Sequence, residues 1–259
     1  MVAEHEVSIR QACQAVGLAR SAFYAPRRPK DDGPVIAAIE RYVQENPGHG
    51  FDKLHPALQP QGFGKTVLYR VYRALRLNQK RRGKRRLPAR VKVPLLIPAA
   101  PNEVWSADFM ADALWSGRRF RTFNVLEDFN REALRIEIDT NLPAQRVVRA
   151  LDELVELRGA PAVLRVDNGP EFMSEQLQKW ARRHGVELRF IQPGRPMQNG
   201  FVERFNRTYR QEVLDCYVFE TLAEVRQMTA EWITRYNEIR THESLGNLSP
   251  RQYLMAKSP

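Results

Sequence analysis

The sequence predicts an α/β domain with a mixed five-stranded sheet, preceded by a small all-α region. Three observations carry this. Residues 103–259 alternate runs rich in β-branched and aromatic residues with amphipathic stretches, in the order βββαβαβαα. Residues 1–79 carry apolar residues at helical spacing. Residues 80–102, between them, are first densely basic and then Pro-rich, which suits an extended linker.

From the N-terminus, Ser8 is the expected N-cap of a helix bearing Ile9, Cys13 and Val16, which Gly17 ends. A second short helix runs from Arg20-Ser21 to before Pro26. Two helices about a glycine turn fit a helix-turn-helix over residues 1–30, and fit a plain helical hairpin equally. In residues 31–79, a longer helix carries Pro34 in its first turn, buries Val35, Ile36, Ile39, Tyr42 and Val43, and stops at Asn46-Pro47-Gly48. A helix at about 52–60 and a Gly62-Phe63-Gly64 break follow. The last helix starts at Lys65, with Val67, Leu68, Val71, Tyr72, Leu75 and Leu77 as its apolar set and Arg70, Arg73 and Arg76 on its other face.

In the α/β region, residues 104–110, 118–128 and 132–139 read as three consecutive strands, with Ser116-Gly117 and Asn130-Arg131 between them. A helix over 143–158 begins at Pro143 and ends before Gly159. A strand over 162–167, a helix over 174–184, a strand over 187–191 and helices over 198–214 and 221–239 complete the pattern.

The 259 residues hold 41 Lys and Arg against 30 Asp and Glu, a net charge of +11. The surplus is local: residues 53–102 contain thirteen basic residues and no acid, so the other 209 sum to −2. That asymmetry points to a polyanion, most simply double-stranded DNA, gripped by Arg70, Arg73 and Arg76 and by the run Lys80, Arg81, Arg82, Lys84, Arg85 and Arg86. Ordinary apolar content (43%) excludes a collagen or a fully disordered chain. No apolar run approaches the roughly 20 residues of a membrane helix, and MVAEHEVSIRQ has no apolar signal core. Cys13 and Cys216 are too few for a disulfide framework, so a cytoplasmic protein with no membrane partner is expected.

Asp108 lies within the first strand and Asp167 ends the fourth, where the Asn168-Gly169 turn begins. An acid in an apolar strand is costly unless paired or metal-bound. If the first and fourth strands are neighbours, the two acids meet, and a helix crossing that edge can add Glu203. Three carboxylates without a Cys/His cluster suit Mg²⁺ or Mn²⁺ rather than zinc. Two such ions about 4 Å apart are a known solution to phosphoryl transfer. Asn199, Asn206 and Arg210 fall on the Glu203 side of its helix, Arg210 only about 20° further round. Asp112, Glu127, Asp128 and Glu171 are rival acids, Glu171 the strongest. Trp105 reads as core and His184 as the last residue of a helix. Gly62–Thr66 resembles the end of a phosphate-binding loop but lacks its first glycine and preceding strand.

The segments VWSADF, RVDNGPEF and QNGFVERFNRTYR, with 35 residues between Asp167 and Glu203, resemble the Asp-Asp-Glu core of retroviral-integrase-type transposases. PNEVWSADF, GRRFRTFNVLEDFNRE and YNEIRTHESLGNLSPRQYL resemble more closely the second-frame product of the insertion-sequence-three family of bacterial transposases. The resemblance extends from SIRQACQAVGLARSAFY to the C-terminus. It implies an RNase H-like fold for residues 103–259 and two Mg²⁺ (or Mn²⁺) ions held by catalytic Asp108, Asp167 and Glu203. It also implies contacts of Arg210 and Asn206 with element-end DNA, followed by cleavage and joining of that DNA. The implied partners are element-end and target DNA, further copies of the chain on that DNA, and an upstream-frame helix-turn-helix protein. The implied location is the bacterial cytoplasm, at the nucleoid when on DNA. The family usually has Tyr-Gly and following arginines where this chain has GHGFDKL, and Pro where Thr241 precedes His242. A catalytically idle DNA-binding regulator and a simple RNase H-like nuclease remain the alternatives.

Overall fold

Ser8 caps the first helix as expected: its hydroxyl accepts from the Gln11 N–H at 3.3 Å, and the Gln11 side chain accepts in return from the Ser8 N–H at 3.1 Å. The structure, a computed structural model, describes residues 8–24, 31–78, 97–192 and 196–257. Lys80, Arg81, Arg82, Lys84, Arg85 and Arg86 lie outside the described residues.

Helices α1 (Ile9–Ala15) and α2 (Arg20–Tyr24) flank a turn at Gly17, whose φ of +65° suits a residue without a Cβ. Helices α3 (Gly33–Glu45), α4 (Phe51–Leu58) and α5 (Lys65–Ala74) pack around Val35, Ile39, Tyr42, Leu54, Leu58, Leu68, Val71 and Tyr72. Helix α5 stops sooner than its apolar spacing predicts. Arg76 lies beyond it in left-handed backbone (φ +56°), so only Arg70 and Arg73 share the helix face. Arg70 bonds Asp32 at 2.7 Å, while Arg73 and Arg76 are exposed.

The sheet has the order β3-β2-β1-β4-β5. Strands β1 (Val104–Ala113), β2 (Arg119–Glu127) and β3 (Ala133–Asp139) form an antiparallel meander. Strand β4 (Val163–Val166) runs parallel to β1, and β5 (Glu187–Phe190) parallel to β4. β1 continues to Ala113, past the expected end at 110, because its ladder with β2 runs unbroken to Ala113↔Arg119.

The two-residue period of a strand divides the side chains between two cores. Trp105, Ala107, Phe123, Val125, Leu164 and Val166 face α6 (Ala144–Arg158) and α7 (Glu175–His184), against Leu151, Leu177 and Trp180. Trp105 is fully buried and His184 ends α7, both as read from the sequence. Phe120 and Leu126 face the other way, against α8 (Gly200–Tyr209) and α9 (Leu222–Glu238), where Val202, Phe205, Tyr209, Trp232 and Tyr236 are buried. Each such apolar side chain contributes about 1.5–3 kcal/mol on burial. Helix α8 is entered through a 3₁₀ turn, Pro196–Asn199, and left through a π-helical turn, Arg210–Leu214. Helix α10 (Pro250–Lys257), which sequence periodicity does not single out, packs on α9. Among the described residues no helix is long and apolar enough to cross a membrane.

The N-terminal helices meet the second core through polar groups. His49 Nδ1 is 2.8 Å from the Tyr42 hydroxyl, and His49 Nε2 is 3.3 Å from the Glu212 carboxylate. Glu212 also pairs with Arg240 and accepts from Trp232 Nε1 at 3.0 Å. Arg235 donates to the backbone carbonyl of Glu45.

His242 lies in the same region, its ring edge-on to Tyr236 and its Nε2 buried without a partner. Burial first, then the positive charges of Arg240, Lys53, Arg131 and Arg204, push its pKa down to about 3. The folded chain therefore binds fewer protons here than the unfolded chain. Stability from this group is complete above the unfolded pKa, near 6.5, and falls as pH drops toward 3. Between pH 7 and 5 the wild type should lose about 2 kcal/mol more than His242→Leu. Urea unfolding midpoints at the two pH values measure this, and equal losses would contradict it.

Candidate active site

The pairing of β1 with β4 aligns Val104 with Val163 and Ser106 with Arg165. Two residues further on come Asp108, within β1, and Asp167, immediately past the end of β4. The arrangement thus follows from register and period rather than from any special loop. Both side chains are half-buried and face the side covered by α8.

Asp108 and Asp167 are each held by local donors. Asp108 Oδ1 accepts the Phe109 N–H at 2.8 Å and its Oδ2 accepts from Asn206 Nδ2 at 2.8 Å. Asp167 Oδ1 accepts the Gly169 N–H at 2.9 Å. A Cβ on residue 169 would stand 2.9 Å from that same oxygen, so a side chain there would push the Asp167 carboxylate aside. Glu203 lies in the first turn of α8, where carboxylates are favoured by the helix dipole.

The three acids share one electrostatic field. Burial first, and then the negative charges of Asp167 and Glu203, push the Asp108 carboxyl up to about 6, against the bonds from Phe109 and Asn206. Burial also raises Glu203, opposed by Arg207. Among the described residues none of the three carboxylates stands in an ion pair, and no group of three His, Cys, Asp or Glu side chains is arranged to hold a metal ion. An oxygen-only set, with Asp108 under the negative charges of Asp167 and Glu203, has the chemistry that suits a hard divalent cation.

The rival acids are engaged elsewhere. Asp112 pairs with Arg210 at 2.9 Å and Glu171 with Arg121. Asp128, fully buried, binds Arg165 at 2.9 Å and the Ser106 hydroxyl at 2.6 Å. Glu127 accepts from Trp105 Nε1 at 3.0 Å and from the Asn102 and Phe129 N–H groups.

The polar residues around Glu203 differ from the helical-wheel expectation. Asn206 is nearly buried, its amide joined to Asp108 and to Asn124 Nδ2 at 2.7 Å. Asn199 is 2% exposed and donates to the Ala107 carbonyl at 3.3 Å. Neither amide is presented to solvent, and both are bonded to β1. Asn199 belongs to the 3₁₀ turn, where angles counted along an α-helix do not apply. Arg210 is part-exposed and stands beside β1, bonded to Asp112 and, at 2.9 Å, to the Ala111 carbonyl. Asn124, which sequence reasoning passes over, is fully buried and pairs with Asp108 across the β1–β2 ladder. Its one sequence signal is an amide in the apolar run FNVL.

Two integrase core domain families match the chain, over residues 98–196 and 184–250, which between them contain all three acids. The chain is 40% identical over 250 residues to the insertion element IS407 uncharacterized 31.7 kDa protein of Burkholderia multivorans, covering 95% of this chain and 90% of that protein. The chain belongs to the insertion-element transposases with an integrase-type core. A more distant member, the InsD transposase of insertion element IS2 in Escherichia coli, is 26% identical over 250 residues, covering 89% of this chain and 81% of its own. The fold is also that of a chain in the simian T-cell lymphotropic virus intasome bound to PP2A regulatory subunit B56 gamma. The TM-score is 0.53 at 15% identity, over 86% of this chain and 75% of that one. This likeness concerns architecture: a mixed five-stranded sheet flanked by helices, the RNase H-like fold.

Proposed function

We propose that this transposase cleaves element-end phosphodiesters and joins the freed 3′-OH to a second DNA strand, with Asp108, Asp167 and Glu203 as catalytic carboxylates holding two Mg²⁺ or Mn²⁺ ions. The observation that carries the reading is the shared field of Asp108 within β1, Asp167 just past the parallel β4 and Glu203 on α8, with Asp108 raised to about 6. When bound, the ions supply charge neutralisation at the phosphoryl oxygens and acidify the attacking hydroxyl.

The chain's own residues do the remaining work. Asn206 and the Phe109 N–H fix the Asp108 carboxylate, and the Gly169 N–H fixes Asp167, so the donors are oriented before substrate arrives. In-line attack by water breaks the phosphodiester and leaves a 3′-OH on the element end. Attack by that 3′-OH on a phosphodiester of a second strand forms the new bond and expels the 3′-oxygen of the cut strand. Arg210, beside the site, exchanges Asp112 for a DNA phosphate. Arg70, Arg73, Arg76 and the Lys80–Arg86 run grip phosphates without reading sequence.

The corresponding division is a helix-turn-helix-like segment (1–30), a helical DNA-binding region (31–79), a basic linker (80–102) and the catalytic core (103–259). The active form is an oligomer on DNA, since two ends must be held together. An upstream-frame helix-turn-helix protein is a further partner in the cytoplasm.

Purified chain incubated with labelled element-end duplex tests the proposal. Mg²⁺-dependent nicking at the element boundary is expected. Nicking that is unchanged by chelator, or none with any divalent ion, overturns it.

A further inference from the structure

Asn124 is placed across the ladder from Asp108 and is 0% exposed. The orientation of its amide follows from the acid outward. An ionised carboxylate only accepts, so Asn206 must turn Nδ2 toward Asp108, which it does at 2.8 Å. That leaves Asn206 Oδ1 pointing away, and Asn124 Nδ2 fills it at 2.7 Å. The Asn124 Oδ1 is then left buried with no partner. An orphaned acceptor is unfavourable, and an apolar side chain at this sheet position would avoid it. The amide is therefore explained by what its donor does.

We infer that Asn124 is a positioning residue for the Asp108 carboxylate, acting through Asn206. With Nδ2 of Asn124 in place, the Asn206 amide has one favourable orientation. Without it, the amide can turn over and present its oxygen to the carboxylate, and Asp108 loses the bond that aims Oδ2. This rests on the reading of Asp108 as a metal ligand. Partners that orient ligands typically change metal affinity about 10–100-fold when lost.

The test is Mn²⁺ binding to the full-length chain without DNA, read from the electron paramagnetic resonance signal of free Mn²⁺, with thermal unfolding alongside. Asn124→Leu should weaken Mn²⁺ binding roughly tenfold and change the melting midpoint little, because it removes the orphaned Asn124 oxygen while freeing that of Asn206. Asn124→Ala, which adds no bulk, should weaken it equally. Thr122→Val removes another unpartnered buried oxygen two residues away on β2 and should leave binding unchanged. Asn124→Leu combined with Asn206→Leu should bind no more weakly than Asn206→Leu alone, since the first acts through the second. Unchanged binding in both Asn124 variants, with binding lost in Asp108→Asn, overturns the positioning role. Unchanged binding in Asp108→Asn overturns the metal-ligand reading itself.

Discussion

Asp108→Asn should lower metal-supported DNA cleavage by about a thousandfold or more, and leave the chain folded. Metal ions contribute several kcal/mol of charge stabilisation to phosphoryl transfer, and each 1.36 kcal/mol is a factor of ten in rate. Asparagine keeps the shape of the side chain and the means to meet Asn206, and removes the charge that Asp167 and Glu203 oppose. The melting midpoint in metal-free buffer should hold or rise, whereas in Mn²⁺ the wild type should gain stability that the variant does not. Single-turnover nicking and paired melting curves measure both effects. Activity within a few-fold of wild type would remove Asp108 from the site.

The largest stability effect should come from the buried ion pair of Glu212 with Arg240, which His49 joins from the N-terminal region. Glu212 and Arg240 have side chains only 10% and 15% exposed. Burial works to raise the Glu212 carboxyl, but the bond to His49 and the charge of Arg240 outweigh it and hold it below its ordinary value. Its contribution is therefore full above the unfolded pKa near 4.5 and is lost as pH falls through the lower folded value. Arg240→Met leaves this carboxylate buried without its cation, which should cost about 3–5 kcal/mol at pH 7. Glu212→Leu combined with Arg240→Met should recover much of the loss, since it removes both charges. Urea unfolding of the wild type and the two variants decides it. A loss below about 1 kcal/mol would place the pair among surface bridges, which contribute little.

The parts of this molecule set by short-range pattern were legible in the sequence. Alternation and turn residues give the five strands, and Pro143, Gly159, Ser174 and Gly185 bound α6 and α7 as their capping chemistry requires. Asp108, within the first strand, and Asp167, ending the fourth, could be brought together once those two strands were supposed adjacent. What escaped depends on long-range contact or departs from ideal helix geometry. Asn124 acts across a strand pair and a helix, 82 residues from Asn206. His49 and Arg240 are 191 residues apart. The 3₁₀ turn before α8 breaks the 100° count that put Asn199 on the Glu203 side of the helix. The early end of α5 takes Arg76 off the arginine stripe. The Lys80–Arg86 run lies outside the described residues, so its part in DNA binding rests on charge alone.

Whether one set of three carboxylates carries out strand transfer is tested most directly by joining. A labelled element-end strand with a free 3′-OH is incubated with unlabelled duplex, the full-length chain and Mg²⁺, beside Asp167→Asn and Glu203→Gln. A longer labelled product is expected with wild type, and none with either variant or with chelator. Cleavage without any joined product would make the chain a nuclease, and joining that survives loss of Asp167 or Glu203 would contradict the site.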